Sequence, residues 1–152
     1  MSEPRWLTQE QQGAWRQLVE VLVKVPAALE TQLQRDAGLT HVGYLVMMTL
    51  SEHPERRLPM SHLAKRACAS LSRLSHVVAR LEEKGWIRRE RDQVDGRVQI
   101  AVLTDEGYTK VVATAPGHVE TVQQLIFDRL SPAQVCQLTE VAEALLRIPP
   151  AP

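Results

Sequence analysis

SHLAKRACASLSRLSHVVARLEEKGWIRRERDQVDGRVQIAVLT, residues 61–104, decides the fold of this chain. The stretch predicts a helix, a tight turn, a second helix and a two-stranded ribbon. In the second helix Leu71, Leu74, Val78 and Leu81 recur at three- and four-residue steps, which puts them on one apolar stripe. Ser72, Arg73, Ser75, His76, Ala79 and Arg80 lie off that stripe. A helix with one buried face and a small, polar, basic outer face can enter a DNA major groove. Gly85 closes the helix, because glycine adopts the left-handed conformation of a helix end without steric cost.

The ribbon comes next. Trp86–Arg91 is strand-like with partial alternation, and Val98–Leu103 is richer in β-branched residues and alternates more clearly. Between them Asp95-Gly96 signals a turn, so Arg97 sits at or beside a hairpin tip. An arginine projected in this way can reach a DNA minor groove, where the potential is most negative when the groove is narrow. The alternative is a solvated loop arginine paired with Asp95.

Charge is distributed unevenly. The whole chain of 152 residues is formally neutral, with 18 basic and 18 acidic residues. Residues 56–97 nevertheless hold eleven Lys/Arg against five Asp/Glu, a net of +6, which leaves −6 for the remainder. A basic block on an otherwise acidic chain is the electrostatic footprint of a nucleic-acid-binding lobe. A solvated basic face is the plainer alternative.

Outside this block the chain reads as helices. Residues 8–36 keep helical spacing through Trp15, Leu18, Val19, Leu22, Leu29 and Leu33, with Thr8 as cap, Gly38 as stop and a kink or break expected at Pro26. Large apolar residues at its start fit an interface helix, with an ordinary core helix as the alternative. Thr40 can cap a central helix over residues 41–52, and Leu58 can start a short strand against the ribbon. Leu63, Ala64 and Ala67 should face inward from the first motif helix, with Lys65 and Arg66 outward toward phosphates. Thr104 caps a further helix, with a kink or a break expected at Ala115-Pro116-Gly117. Ser131-Pro132-Ala133-Gln134 is a capping box opening the last helix, which Ile148-Pro149-Pro150 should stop.

A chain of this length buries roughly 68–70% of its unfolded surface, enough for a core without disulfides or metal. No apolar run approaches a membrane span, and MSEPRWLTQEQ has no signal-peptide core, so a cytoplasmic protein is expected. Cys68 and Cys136 fit no metal-ligand spacing and are expected to be buried thiols. There is no phosphate loop, no nucleotide-binding glycine fingerprint and no nucleophile elbow, so no enzyme is expected. The five histidines, His41, His53, His62, His76 and His118, form no metal motif, and no cofactor is expected.

The run resembles the winged helix-turn-helix of the MarR (multiple-antibiotic-resistance repressor) family. The resemblance rests on Leu81-Glu82-Glu83-Lys84-Gly85-Trp86 for the family's Leu-Glu-x-x-Gly pattern. It rests equally on Asp95-Gly96-Arg97 followed, five residues on, by Leu103-Thr104. The resemblance implies a mostly α fold with a small β-wing and with N- and C-terminal dimerisation helices. The chain is accordingly expected to be one domain, 1–152, with a winged lobe at 40–104 and dimerisation helices at 8–36 and 105–148. It implies a homodimer on double-stranded DNA, reading a pseudo-palindromic site as a repressor. Ser72, Arg73, Ser75, His76 and Arg80 are the expected base or phosphate contacts, Arg97 the minor-groove contact, and Lys65, Arg66, Arg88, Arg89 and Arg91 phosphate contacts or solvated charges. Family members often carry arginine where this chain has His76, and histidine there could make binding sensitive to pH.

The resemblance further implies a small-molecule effector, an aromatic or phenolic acid, in a crevice between the dimer helices and the winged lobe. Trp15, Arg16, His41, Tyr44, Met48 and Trp86 could line it, against core packing for Trp15, Met48 and Trp86. The alternatives are a redox- or metal-responsive regulator on the same fold, and a winged-helix interaction module that does not bind DNA.

Overall fold

The computed structural model describes residues 3–67 and 69–147. Cys68 and the stop expected at Ile148 lie outside the described residues. The element order is α1 (Gln9–Ala37), α2 (His41–Ser51), β1 (Arg57–Pro59), α3 (Met60–Arg66), α4 (Leu71–Glu83), β2 (Ile87–Arg91), β3 (Gln99–Leu103), α5 (Asp105–Leu125) and α6 (Pro132–Leu146), with one 3-10 turn at Phe127–Arg129. The fold is mostly helical with a small β-wing, as expected.

The helix starts follow the sequence closely. Thr8 and Gln11, and Ser131 and Gln134, form reciprocal capping boxes at α1 and α6. The hydroxyls of Thr40, Ser70 and Thr104 accept backbone N–H groups at the starts of α2, α4 and α5. Such caps satisfy donors that have no partner within the helix. Gly38 and Gly85 take the positive φ that ends α1 and the turn after α4.

At the two places where a kink or a break was expected, neither helix breaks. α1 runs unbroken through Pro26 and α5 through Pro116. Both prolines are exposed, as are Leu22 and Val112, whose carbonyls lose a donor. Water can replace each bond there, so the helices continue.

The core lies in the winged lobe. Leu33, Leu39, Val46, Met47, Leu50, Leu63, Leu74, Val78 and Ile87 are fully buried, and α2 runs through their midst. β3 is the middle strand of an antiparallel sheet ordered β1-β3-β2, with Leu58 opposite Ala101 and Ile87 opposite Leu103. The expected short strand at Leu58 therefore adds a third strand to the wing, at one edge of the sheet.

Leu71 departs from its expected place. Leu74, Val78 and Leu81 are buried, but Leu71 is 56% exposed. Helical side chains tilt toward the N-terminus, and Leu71 is the first helical residue, so its side chain overhangs the core instead of covering it.

The arms are the opposite of the lobe. α5 packs on α1 and α2, but α6 makes at most marginal contact with any other element. Trp15, Leu18 and Leu22 on α1, Val112 and Val119 on α5, and Leu138, Val141 and Leu145 on α6 are exposed. Cys136 is exposed too, contrary to the expected buried thiol, because α6 stands clear of the body.

Candidate nucleic-acid interface

α4 stands as a ridge between two clefts. On the α2 side a cleft of about 590 Å3 is lined by Thr40, Val42, Ser72, Arg73, His76 and Arg80, with Glu30 at its edge. On the wing side a cleft of about 440 Å3 is lined by Met60, Ser61, Leu71, Ser75, Arg97 and Val98. Helical periodicity puts Ser72, His76 and Ala79 on the crest, Arg73 and Arg80 toward α2, and Leu71 and Ser75 toward the wing. The expected site residues of α4 are thus divided between two walls of one convex element.

The wing tip is held by an aspartate rather than by the glycine. Asp92 Oδ1 accepts the backbone N–H groups of Val94 at 2.8 Å and Asp95 at 2.9 Å. Those bonds keep the Asp92 carboxyl below its usual range. Gly96 is not among the residues of positive φ, so the turn signal of Asp95-Gly96 is realised without a left-handed glycine. Asp95 does bond Arg97, but through the Arg97 backbone N–H at 3.1 Å. The guanidinium is in no ion pair with a described residue.

That observation extends across the basic block. Arg56 pairs with Asp105 and stacks on Tyr108, Arg57 and Arg88 share Glu90, and Arg89 is held by Glu82. Lys65, Arg66, Arg73, Arg80, Arg91 and Arg97 are exposed and pair with no carboxylate among the described residues. All six are among the cations that the sequence offered to DNA. Arg88 and Arg89, offered with them as phosphate contacts or solvated charges, are paired with Glu90 and with Glu82 of α4.

Glu82 was missed as a site residue although it belongs to the quoted motif. Its carboxylate accepts the Arg89 backbone N–H at 2.9 Å and the guanidinium at 2.9 and 2.7 Å. The Arg89 side chain beside it holds its carboxyl below the usual range. The clamp ties the last turn of α4 to β2 and fixes the angle between ridge and wing.

The six expected effector residues do not meet in one crevice of the single chain. Glu30 Oε2 accepts the His41 N–H at 2.6 Å, which fixes where α1 passes His41. Trp15 and Arg16 lie about 15 residues earlier on the same helix, hence roughly 22 Å away along its axis. Trp86 sits beside the first turn of α5, where a Cβ on Gly107 would lie 2.1 Å from the Trp86 carbonyl oxygen. Lys84 and Lys110 lie over its ring at 4.8 and 5.2 Å. Met48 is half-buried against the core.

His41 and Tyr44 do meet, around a residue the sequence gave no role. His118 of α5 lies 4.6 Å from Tyr44 and 6.2 Å from His41, ring centre to ring centre. Burial pushes both imidazole pKa values down, and His41 pushes that of His118 further. His118 Nδ1 and Gln32 Oε1 are buried without a hydrogen-bond partner. Only proximity in the fold joins these residues, so sequence spacing carried no signal. Among the described residues no group of three or more His, Cys, Asp or Glu is arranged to hold a metal ion.

Comparison with known proteins follows the same outline. The MarR family model matches residues 39–98, the winged lobe. Sco3205 of Streptomyces coelicolor, a MarR family transcriptional regulator solved in complex with DNA, is 51% identical. The match covers 96% of this chain and 91% of that one, with a TM-score of 0.92.

This chain belongs to the MarR family.

AbsC, another MarR family transcriptional regulator from Streptomyces coelicolor, is 38% identical over 93% of this chain and 98% of its own, with a TM-score of 0.86. The transcriptional regulator HosA of Escherichia coli is 33% identical over 93 residues, 61% of this chain and 67% of its own. As a MarR-family winged helix-turn-helix protein the chain is a DNA-binding transcriptional regulator, not an enzyme. No helix among the described residues is long and apolar enough to cross a membrane.

Proposed function

We propose that this MarR-family regulator works as a homodimer, with α4 of each copy in a major groove and the wing's Arg97 in the adjoining minor groove. The unpaired cations on both sides of α4 carry this reading. A guanidinium already paired must lose its carboxylate to bind a phosphate, and an unpaired one gives up only water and counterions. Arg73 and Arg80 serve the backbone wall on the α2 side, with Lys65, Arg66 and Arg91 on flanking phosphates. Ser72, Ser75 and His76 face base edges.

The exposed apolar faces of α1, α5 and α6 become the interface between copies, and two-fold symmetry sets the half-sites about 34–36 Å apart. The function is repression relieved by a small anionic aromatic molecule. The polar junction of Gln32, His41, Tyr44 and His118, where α1, α2 and α5 meet, is the place for it, since its unpartnered buried atoms offer hydrogen bonds to a guest. Trp15 and Arg16 would then come from the second copy.

The test is selection of duplexes from a randomised pool, followed by binding measured against salt. Enrichment of an inverted repeat is expected, with log affinity falling linearly in log salt. Arg97→Ala should weaken binding about 5- to 150-fold, by analogy with the roughly 1–3 kcal/mol of a good arginine contact, and lower the salt slope by about one. Absence of any enriched sequence would remove the DNA-reading function.

A further inference from the structure

We propose that Leu71 reads sequence by meeting the 5-methyl group of a thymine in the major groove. The proposal rests on the reading that α4 enters that groove, and names a contact which that reading leaves open. Leu71 is the first residue of α4, and the N-terminal residues of a recognition helix are the ones that reach base edges. It is the exposed member of a stripe whose other three leucine and valine residues are buried.

A solitary exposed leucine is ordinary, but Leu71 has a setting. It lies in the cleft between α4 and the wing, where Met60 and Val98 make an apolar wall and Ser61, Ser75 and Arg97 supply polar groups. Met60 is buried and Val98 half-buried, so the wall is fixed by the lobe's own core.

The chemistry of the groove then selects the partner. Base edges in the major groove present hydrogen-bond donors and acceptors, and the apolar group among them is the thymine methyl. A leucine pressed against any other edge would strip water from a polar atom and offer nothing in return. Against thymine it buries methyl on methyl, while Ser75, one turn further along the same side, can bond a neighbouring edge. Arg97, which lines the same cleft, enters the adjoining minor groove and so sets the depth at which Leu71 arrives.

The experiment uses the full chain and the best duplex selected from a randomised pool. In separate duplexes each thymidine of a half-site, with its symmetry mate, is replaced by deoxyuridine, which keeps base pairing and removes the methyl alone. One position is expected at which the wild-type chain loses affinity about fourfold per half-site, the worth of one buried methyl. Leu71→Ala should lose a similar factor on the thymidine duplex and be indifferent to the replacement. Wild-type binding unaffected by every replacement overturns the proposal, whatever the variant does. So does a Leu71→Ala chain that keeps the wild-type response, or one that weakens equally on all duplexes while the wild type ignores the methyls, which would assign Leu71 to the sugar backbone. Selective binding without methyl dependence removes this contact alone, whereas failure to select any duplex removes the groove-insertion reading with it.

Discussion

The winged lobe and the terminal arms are built from similar helices, yet they solve opposite problems. In the lobe the apolar stripes are covered except at Leu71: Leu74 and Val78 are fully buried beneath α4, and Ile87 beneath β2. In the arms the stripes are as regular but lie bare. Val141 is 55% exposed in the middle of α6, and Trp15 is equally exposed on α1. A helix of 15 residues such as α6 is marginal alone in water, and helical stability in proteins comes mainly from packing one face. The lobe therefore contains the reasons for its own fold, and the arms contain half of theirs. The proposed second copy would supply the missing half, because a two-fold axis lets the bare stripes of one copy cover those of the other.

Breaking the arms should have the largest effect on function. Val141→Asp puts a charge into the middle of the proposed interface. The chain should sediment as a monomer, and its affinity for an inverted-repeat duplex should fall about 10²- to 10⁴-fold through lost avidity. A Val141→Asp chain that remains dimeric, with DNA affinity intact, would move the interface off α6.

Breaking the lobe should produce the next largest effect, of a different kind. Leu74→Ala removes a fully buried side chain and should lower unfolding free energy by about 2–5 kcal/mol, read from urea denaturation. The dimer mass should survive in whatever fraction remains folded. If Leu74→Ala instead costs little, α4 is not held by the core, and the contrast between lobe and arms fails.

The lobe was also the part legible in sequence, for the same physical reason. Its interactions are local and periodic: caps at Thr40 and Thr104, the stripe through Leu74, Val78 and Leu81, and the glycine stop at Gly85 can each be read within a few residues. Leu71 fits the same stripe and was misplaced because periodicity does not say where the core ends. Pro26 and Pro116 were read as kinks or breaks because sequence does not show that the freed carbonyls face solvent. The unpaired cations were legible as a charge block, but which of them are unpaired was not. The carboxylates that neutralise Arg89 and Arg56 are seven and 49 residues away. The polar junction was half legible, since His41 and Tyr44 lie in α2 and His118 in α5, 77 and 74 residues apart.

That junction offers the smallest effect and the sharpest test of how lobe and arms are coupled, because it is where α5 meets α2. Burial lowers the pKa of His41 and His118, so the folded state prefers both imidazoles neutral. Glu30 opposes this at His41, while His118 receives an added push from His41 and has no carboxylate to offset it. An unfolded histidine titrates near 6.5. Between that value and the lower folded pKa the unfolded chain binds more protons, so stability must fall as pH drops through this window. It should be constant above it. The paired or hydrogen-bonded carboxylates Asp36, Glu82 and Asp92 also favour the charged form, but they titrate at lower pH and leave the histidine window clear. The urea midpoint should therefore decline from pH 7.5 to 5.5 in the wild type and decline less in His118→Gln, which keeps a polar group and cannot take the proton. Equal declines in both chains would place the titrating group elsewhere. A wild-type midpoint that does not change would mean that the junction opens too readily to water for burial to matter, and with it the rigid link between arms and lobe.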